Sequence, residues 1–280
     1  MTALYDAIGP RGRRRIAVSS VVGGLVIAAI IALVIFRLAD KGQFEAERWR
    51  VLTQGAVQRR LFRDGLVGTL KAAGFAILLS LAFGAILAFG RISRLVVVRR
   101  LTGAWVEFFR GLPLLLLIFF LFLGGPQVGV SVPVFWALVL GLTLYNSAVI
   151  AEIFRAGILS LPKGQTEAAY AIGLRRVQTL RIILLPQAVR LMLPALISQL
   201  VTLLKDTALG FVIAYPELLR TGREVIEFLG GPYSLPIYIE MAAIYIAVNA
   251  TLSSLARWLD RRTGRRYGKT VEMSAADEAA

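Results

Sequence analysis

The chain is 280 residues long, 57% hydrophobic, carries a formal net charge of +15, and contains neither cysteine nor histidine. The missing histidine excludes a zinc HExxH site and any Ser-His-Asp triad, and the missing cysteine excludes thiolate chemistry and disulfides. Six separable apolar blocks point to an all-α integral membrane protein; a basic nucleic-acid binder needs a soluble core and one basic face, whereas these basic residues cluster between apolar runs, so no nucleic-acid partner is expected.

Residues 1–15 are a basic N-terminal segment ending in "RGRRR". The uncharged run Ile16 to Phe36 is long enough to cross a bilayer at ~1.5 Å per residue. It exceeds a usual signal-peptide core and lacks a small-x-small cleavage site, so an uncleaved transmembrane helix is predicted over 16–38. Residues 39–65 form an outer loop. A second apolar run spans Gly65 to Gly90. From Gly111 to Ala151 there is no charge, too long a stretch for one helix, and "GGPQVG" at 124–129 divides it into two spans. The fifth run is interrupted: "LMLPALISQLVTLL", then Lys205 and Asp206, then "TALGFVIAYP". The last runs from Leu235 to Trp258, and residues 263–280 form a tail whose small, polar, acidic end has the composition of an unfolded segment.

Charge orients the six spans. Basic groups precede the first span (Arg11, Arg13, Arg14, Arg15), follow the second (Arg91, Arg94, Arg99, Arg100), fill the segment after the fourth (Arg155 to Arg190) and close the chain (Arg257 to Lys269). Six crossings put all four groups on one side, which makes both termini cytoplasmic and the protein a multi-pass resident of the bacterial cell membrane, with the lipid bilayer as its surroundings. The outer loop is the misfit: Lys41, Arg48, Arg50, Arg59, Arg60 and Arg63 outnumber its four acids. An amphipathic helix lying on the outer leaflet is one way to place it.

The largest cytoplasmic loop contains "EAAYAIGLRRVQTLRIILLP", residues 167–186. Pro162 suits a helix start and Glu167 the positive end of the helix dipole. Ala168, Ala169 and Ala171 leave a nearly bare surface, and Gly173 permits a sharp bend. Such a helix either rests solvated at the headgroups or docks to a cytoplasmic partner. No GxxxxGK[ST] loop occurs, so the chain does not hydrolyse ATP through that device.

The spacing Glu167-Ala168-Ala169, Gly173, Ile183, Leu185-Pro186 resembles the EAA loop of ATP-binding-cassette importer permeases. "VEFFRGLPLLL" (106–116), "NSAVIAEIFRAGILSLPKGQTEAA" (146–169) and "LLKDTAL" (203–209) are similar to the polar amino-acid permease subfamily, which includes glutamate and glutamine permeases. The resemblance implies a five-span permease core over 66–262, with a coupling loop at 160–190 and one additional N-terminal helix. It further implies that Glu167, Ala168, Ala169, Gly173, Ile183, Leu185 and Pro186 contact the ATPase. The implied partners are two cytoplasmic ATPase subunits, a second permease subunit of the same or a paralogous kind, and an extracellular solute-binding protein. No cofactor is expected in this chain; ATP and Mg would be bound by the partner ATPase, so the chain itself is not an enzyme.

Other polar groups are candidates for the substrate path or for packing. Glu107 with Arg110, and Glu152 with Arg155, lie three apart on a helix face and can pair, serving as a gate or as a packing lock near the coupling loop. Lys205 and Asp206 fall deep in the fifth span, where ionisable groups face a cavity or one another. They can meet a zwitterionic substrate or lock two halves of a dimer. Asn146, Ser147, Gln199 and Thr202 are path-lining candidates or interhelical hydrogen-bond formers. The rival class, an ion-coupled secondary transporter, usually carries more spans and inverted repeats, and none is visible.

Overall fold

A computed structural model describes residues 9–277. The α12 side chains beyond Trp258 are outside the described residues, and with them the closing basic group from Arg261 to Lys269. The fold is all-α. Helix α1 (Pro10–Asp40) carries no charge from Ile16 to Phe36, and none of this apolar stretch is buried against the rest of the chain. A short helix α2 (Ala46–Trp49) leads to α3 (Gly55–Arg59), which continues through a π-turn (Arg60–Leu66) into α4 (Val67–Arg91). Next come α5 (Val96–Gly111) and α6 (Leu114–Phe119), which extends through irregular turns to Val128. Then follow α7 (Val134–Leu159), the short α8 (Lys163–Ala171) and α9 (Arg176–Gln178), which passes through a π segment (Thr179–Leu184) into α10 (Leu185–Asp206). A 3-10 stretch (Thr207–Ile213), α11 (Leu218–Leu229) and α12 (Ser234–Asp277) complete the chain.

Helix α7 is the axis. The α4–α7 pair is the most extensive packing in the molecule, and sequence spacing explains it. Ala72, Ala76, Ser80, Gly84 and Ala88 recur every four residues, so one face of α4 carries only small side chains, and all five are buried. A Cβ on Gly84 would lie 2.7 Å from Ile150 Cγ2 and 3.1 Å from the Ser147 carbonyl. Small residues let two helix backbones approach where lipid offers no hydrophobic drive for association. The central cluster joins Ala72, Ala73 and Ala76 to Ile118 of α6, Leu138 and Leu142 of α7, and Leu203 of α10.

Four sequence expectations need correction. Among the described residues, five helices are long and apolar enough to cross alone; the third span is instead a pair, α5 and the helix from Leu114, bent by 99° at Leu112–Pro113. Pro113 forces the break, because its ring excludes a preceding α conformation and it has no N–H to donate. The outer loop does not lie free on a leaflet. Val51, Val57 and Leu61 are buried against Leu218 and Val225 of α11 and Ile237, Met241 and Ile244 of α12, and the helix entering the second span starts at Gly55, within the segment assigned to the loop. The helix that carries the fifth span does not start near Arg190; it is continuous from Arg176, with Pro186 and Pro194 inside it. The wider π segment just before Pro186 absorbs the missing donor, and Gln187 Nε2 donates to the Ile183 carbonyl at 3.0 Å. Finally, α12 runs as helix to Asp277, through the end whose composition reads as unfolded.

The interruption at "TALG" is as the sequence suggests. Helix α10 ends at Asp206, a 3-10 stretch follows, and Ala214 takes a left-handed conformation at φ 59°. The chain then folds onto the start of α4. A Cβ at Gly68 would lie 2.0 Å from the Pro216 carbonyl, so only glycine admits this contact. Tyr215 Oη donates to the Gly68 carbonyl at 3.0 Å, and the Leu218 N–H donates to Thr69 Oγ1 at 3.0 Å.

Candidate functional site: the coupling loop and its ion-pair support

Helix α8 stands past the end of α7. Its end is closed by two backbone bonds: Gly173 N–H to the Tyr170 carbonyl and Leu174 N–H to the Ala169 carbonyl, both 3.0 Å. Gly173 sits at φ 81°. This 6→1 and 5→2 pair with a left-handed glycine is a Schellman stop, which turns the chain sharply at little conformational cost. Of the loop residues, Ala169 is buried against the π segment, where Thr179 is also buried. Glu167, Ala168, Gly173 and Pro186 are exposed, while Ile183 and Leu185 are half-buried. Glu167, Ala168 and Ala171 thus form an uncovered face on a short helix, and Ile172 beside them is 77% exposed. The loop is anchored from behind by Arg176, whose Nη2 donates to the Ile92 carbonyl at the end of α4 at 2.8 Å.

Beneath this loop the helix ends are tied by charge. Glu152 and Arg155 pair as expected, at 2.9 Å. Glu107 and Arg110 do not pair with each other. Arg91, from the last turn of α4, takes Glu107 at 3.3 Å and Glu152 at 2.9 Å, and Arg110 approaches Glu152 at 4.0 Å. Glu152 is therefore the hub of three guanidinium groups from three helices. Gly103 makes room for the hub, since a Cβ there would lie 2.9 Å from Arg91 Nη1. In the sequence Arg91 stands only among the basic residues that follow the second span; its distance from both acids conceals its partners.

The polar residues of the spans fall into two groups. Asn146 and Gln199 meet: Gln199 Nε2 donates to Asn146 Oδ1 at 2.7 Å, and Asn146 Nδ2 donates to the Leu142 carbonyl at 2.8 Å. Asn146 and Ser147 are buried, the latter bonded to the Leu144 carbonyl. These contacts bind α7 to α10. Thr202 and Lys205 instead are exposed and line an open groove with Ser198 and, from α12, Ser253. Asp206 is half-buried, and no ion pair joins it to Lys205.

At the opposite end, Glu217 was not foreseen. Its carboxylate is fully buried and caps α11, accepting from the Leu219 and Arg220 N–H groups at 2.8 and 2.7 Å and from Tyr245 Oη at 2.7 Å. Burial raises its pKa above 4.5, with the three donors only partly opposing the shift. A glutamate directly before an amphipathic helix is a readable cap signal, but its burial beneath α12 is not.

Known proteins resemble this chain in sequence and in fold. Residues 80–265 match the model of the binding-protein-dependent transport system inner membrane component family. The chain is 42% identical over 233 residues to the glutamate transport system permease protein GluD of Corynebacterium glutamicum, covering 81% of this chain and 85% of that one. It is also 42% identical over 200 residues to the probable glutamine ABC transporter permease protein GlnP of Bacillus subtilis, covering 71% and 92%. Among solved structures, an amino acid ABC transporter crystallised with histidines superposes with a TM-score of 0.70 at 31% identity, over 75% of this chain and 97% of that one. With the family model matching most of the chain and the same helical frame present, this protein belongs to the binding-protein-dependent transport system inner membrane components, the permease subunits of ATP-binding-cassette importers.

Proposed function

We propose that the chain imports a polar amino acid, glutamate- or glutamine-like, as half of a membrane channel driven by ATP hydrolysis on partner subunits. The observation that carries this is the exposed α8, stopped by Gly173 and anchored to the end of α4 by Arg176. A short rigid helix with one bare face can sit in a groove of a moving ATPase and pass its motion to the spans. The named relatives favour the substrate class, since two similar permeases are named for glutamate and glutamine. The partners are an ATPase dimer holding ATP and Mg, a second permease of the same or a paralogous kind, and an extracellular binding protein.

The excess of basic residues at the α8 end supports a cytoplasmic α8, with both ends of the chain on the same side. Thr202 and Lys205, exposed on α10 at membrane depth, line the substrate path, where Lys205 faces the substrate carboxylate and Asp206 lies beside it. Asn146, Ser147 and Gln199 hold α7 to α10 behind that surface. Glu152 and its arginines keep α4, α5 and α7 together under the coupling loop. Purification from native membranes tests the assembly: the ATPase should accompany the wild-type chain in stoichiometric amount. A chain that purifies alone, without ATPase under any mild detergent, contradicts the proposal.

A further inference from the structure

We infer that a cleft behind α8 binds the phosphate-bearing headgroup of an anionic membrane lipid. The cleft, ≈ 770 Å³, lies between the α4–α5 connection, the end of α7, α8 and the π segment before α10. Its walls include Arg91, Leu159 and Arg176, end residues of three of the apolar helices, so it lies at the end of the helical frame that carries α8. None of its lining residues is acidic. Two of its cations, Arg91 and Arg155, are already committed to Glu152. Four are not: Arg94, Arg99, Lys163 and Arg176 have no carboxylate partner among the described residues, and Arg99 and Arg176 donate only to backbone carbonyls.

Four uncompensated cations around an open concavity call for an anion, and guanidinium groups match a phosphate with paired donors. The other walls are apolar, with Phe89, Leu161 and Leu184 among them. A free anion gains nothing from that lining, whereas a lipid places its headgroup on the arginines and the start of its chains on the apolar wall. Basic pockets between spans at a membrane surface bind headgroups on this principle.

The position gives such a lipid a consequence. Lys163, Thr166 and Tyr170 form the α8 face toward the cleft, while Glu167, Ala168 and Ala171 form the uncovered face. A headgroup would brace α8 from behind without covering the surface offered to a partner. The cleft and its charges do not depend on which substrate is carried.

The test is lipid retention by the full chain in its purified complex, measured by native mass spectrometry with phosphatidylglycerol and phosphatidylcholine added in turn. Wild-type protein should retain phosphatidylglycerol selectively. The double variant Arg94→Ala with Lys163→Ala removes two exposed, unpaired cations and should weaken that retention roughly tenfold or more while leaving phosphatidylcholine unchanged. Arg94→Lys with Lys163→Arg, which keeps the charge, should restore most of it. Equal retention of the two lipids, or full retention by the alanine variant, overturns the inference. If inorganic phosphate binds the wild type but not the alanine variant while phosphatidylglycerol is retained equally by both, the cleft is a free-anion site and the lipid assignment is wrong.

Discussion

The Arg91 guanidinium reaches Glu152 at 2.9 Å and Glu107 at 3.3 Å, so one cation at the end of α4 joins acids from α5 and α7. The two acids are not equivalent. Glu152 is 17% exposed and has three cationic neighbours, whereas Glu107 is 74% exposed and has one. Glu152→Gln leaves three guanidinium groups crowded, with only the exposed Glu107 as counter-charge to Arg91 and none for Arg110 and Arg155, and should destabilise the protein by roughly 2–3 kcal/mol. Glu107→Gln should cost less than about 1 kcal/mol, because solvent screens the pair. Thermal unfolding in detergent distinguishes them; equal losses would show that the network has no hub.

Gly173→Val asks a β-branched residue to hold φ 81°, which costs on the order of 1–2 kcal/mol and loosens the Schellman stop. The change lies outside the spans, so insertion and expression should remain near normal while transport falls at least about tenfold. Glu167→Lys, on the uncovered face of α8, should do the same without altering the backbone. Normal transport by both variants, with the ATPase still bound, would remove the coupling role.

Glu217 supplies the pH dependence. Burial raises its pKa above the ordinary 4.5, so the folded state binds this proton more tightly than the unfolded one. Its contribution to stability is then full below the ordinary value and is lost as pH rises through the folded one. Lowering the pH from neutral to the ordinary carboxylate value, 4.5, should raise the melting temperature of the wild type relative to Glu217→Gln. A difference that stays constant across that range, or moves the other way, contradicts the sign.

The orientation is open to a direct chemical map, because the chain has no native cysteine. Cysteine introduced at Gln127 or Ser234, at the end opposite α8, should react with an impermeant thiol reagent in intact cells. Cysteine at Gln178, beside α8, should react only after lysis. Labelling of Gln178 from outside would invert the topology and with it the assignment of the coupling loop.

Much of this was legible in the sequence where a local pattern carried the physics. The apolar runs, the glycine stop at 173, the Glu152–Arg155 pair and the break after Asp206 each need only a few neighbouring residues, and the structure has them where the sequence placed them. What was hidden depended on helices meeting. Arg91 finds its acids across three helices, Asn146 finds Gln199 from a helix 53 residues on, and Val51, Val57 and Leu61 find a floor on α11 and α12. The Leu112–Pro113 bend lay within local reach, but the uncharged run masked it, since hydropathy has no term for direction. Glu217 combines both cases: the cap is local, and the burial is tertiary.

The most direct measurement is amino-acid uptake into liposomes. The chain alone should accumulate no glutamate or glutamine under any sodium or proton gradient. With its ATPase, its permease partner where it has one, and its binding protein, uptake should require ATP on the α8 side and fall away in the Glu167→Lys variant. Gradient-driven accumulation by the chain alone would contradict an ATP-driven importer and identify a secondary transporter instead.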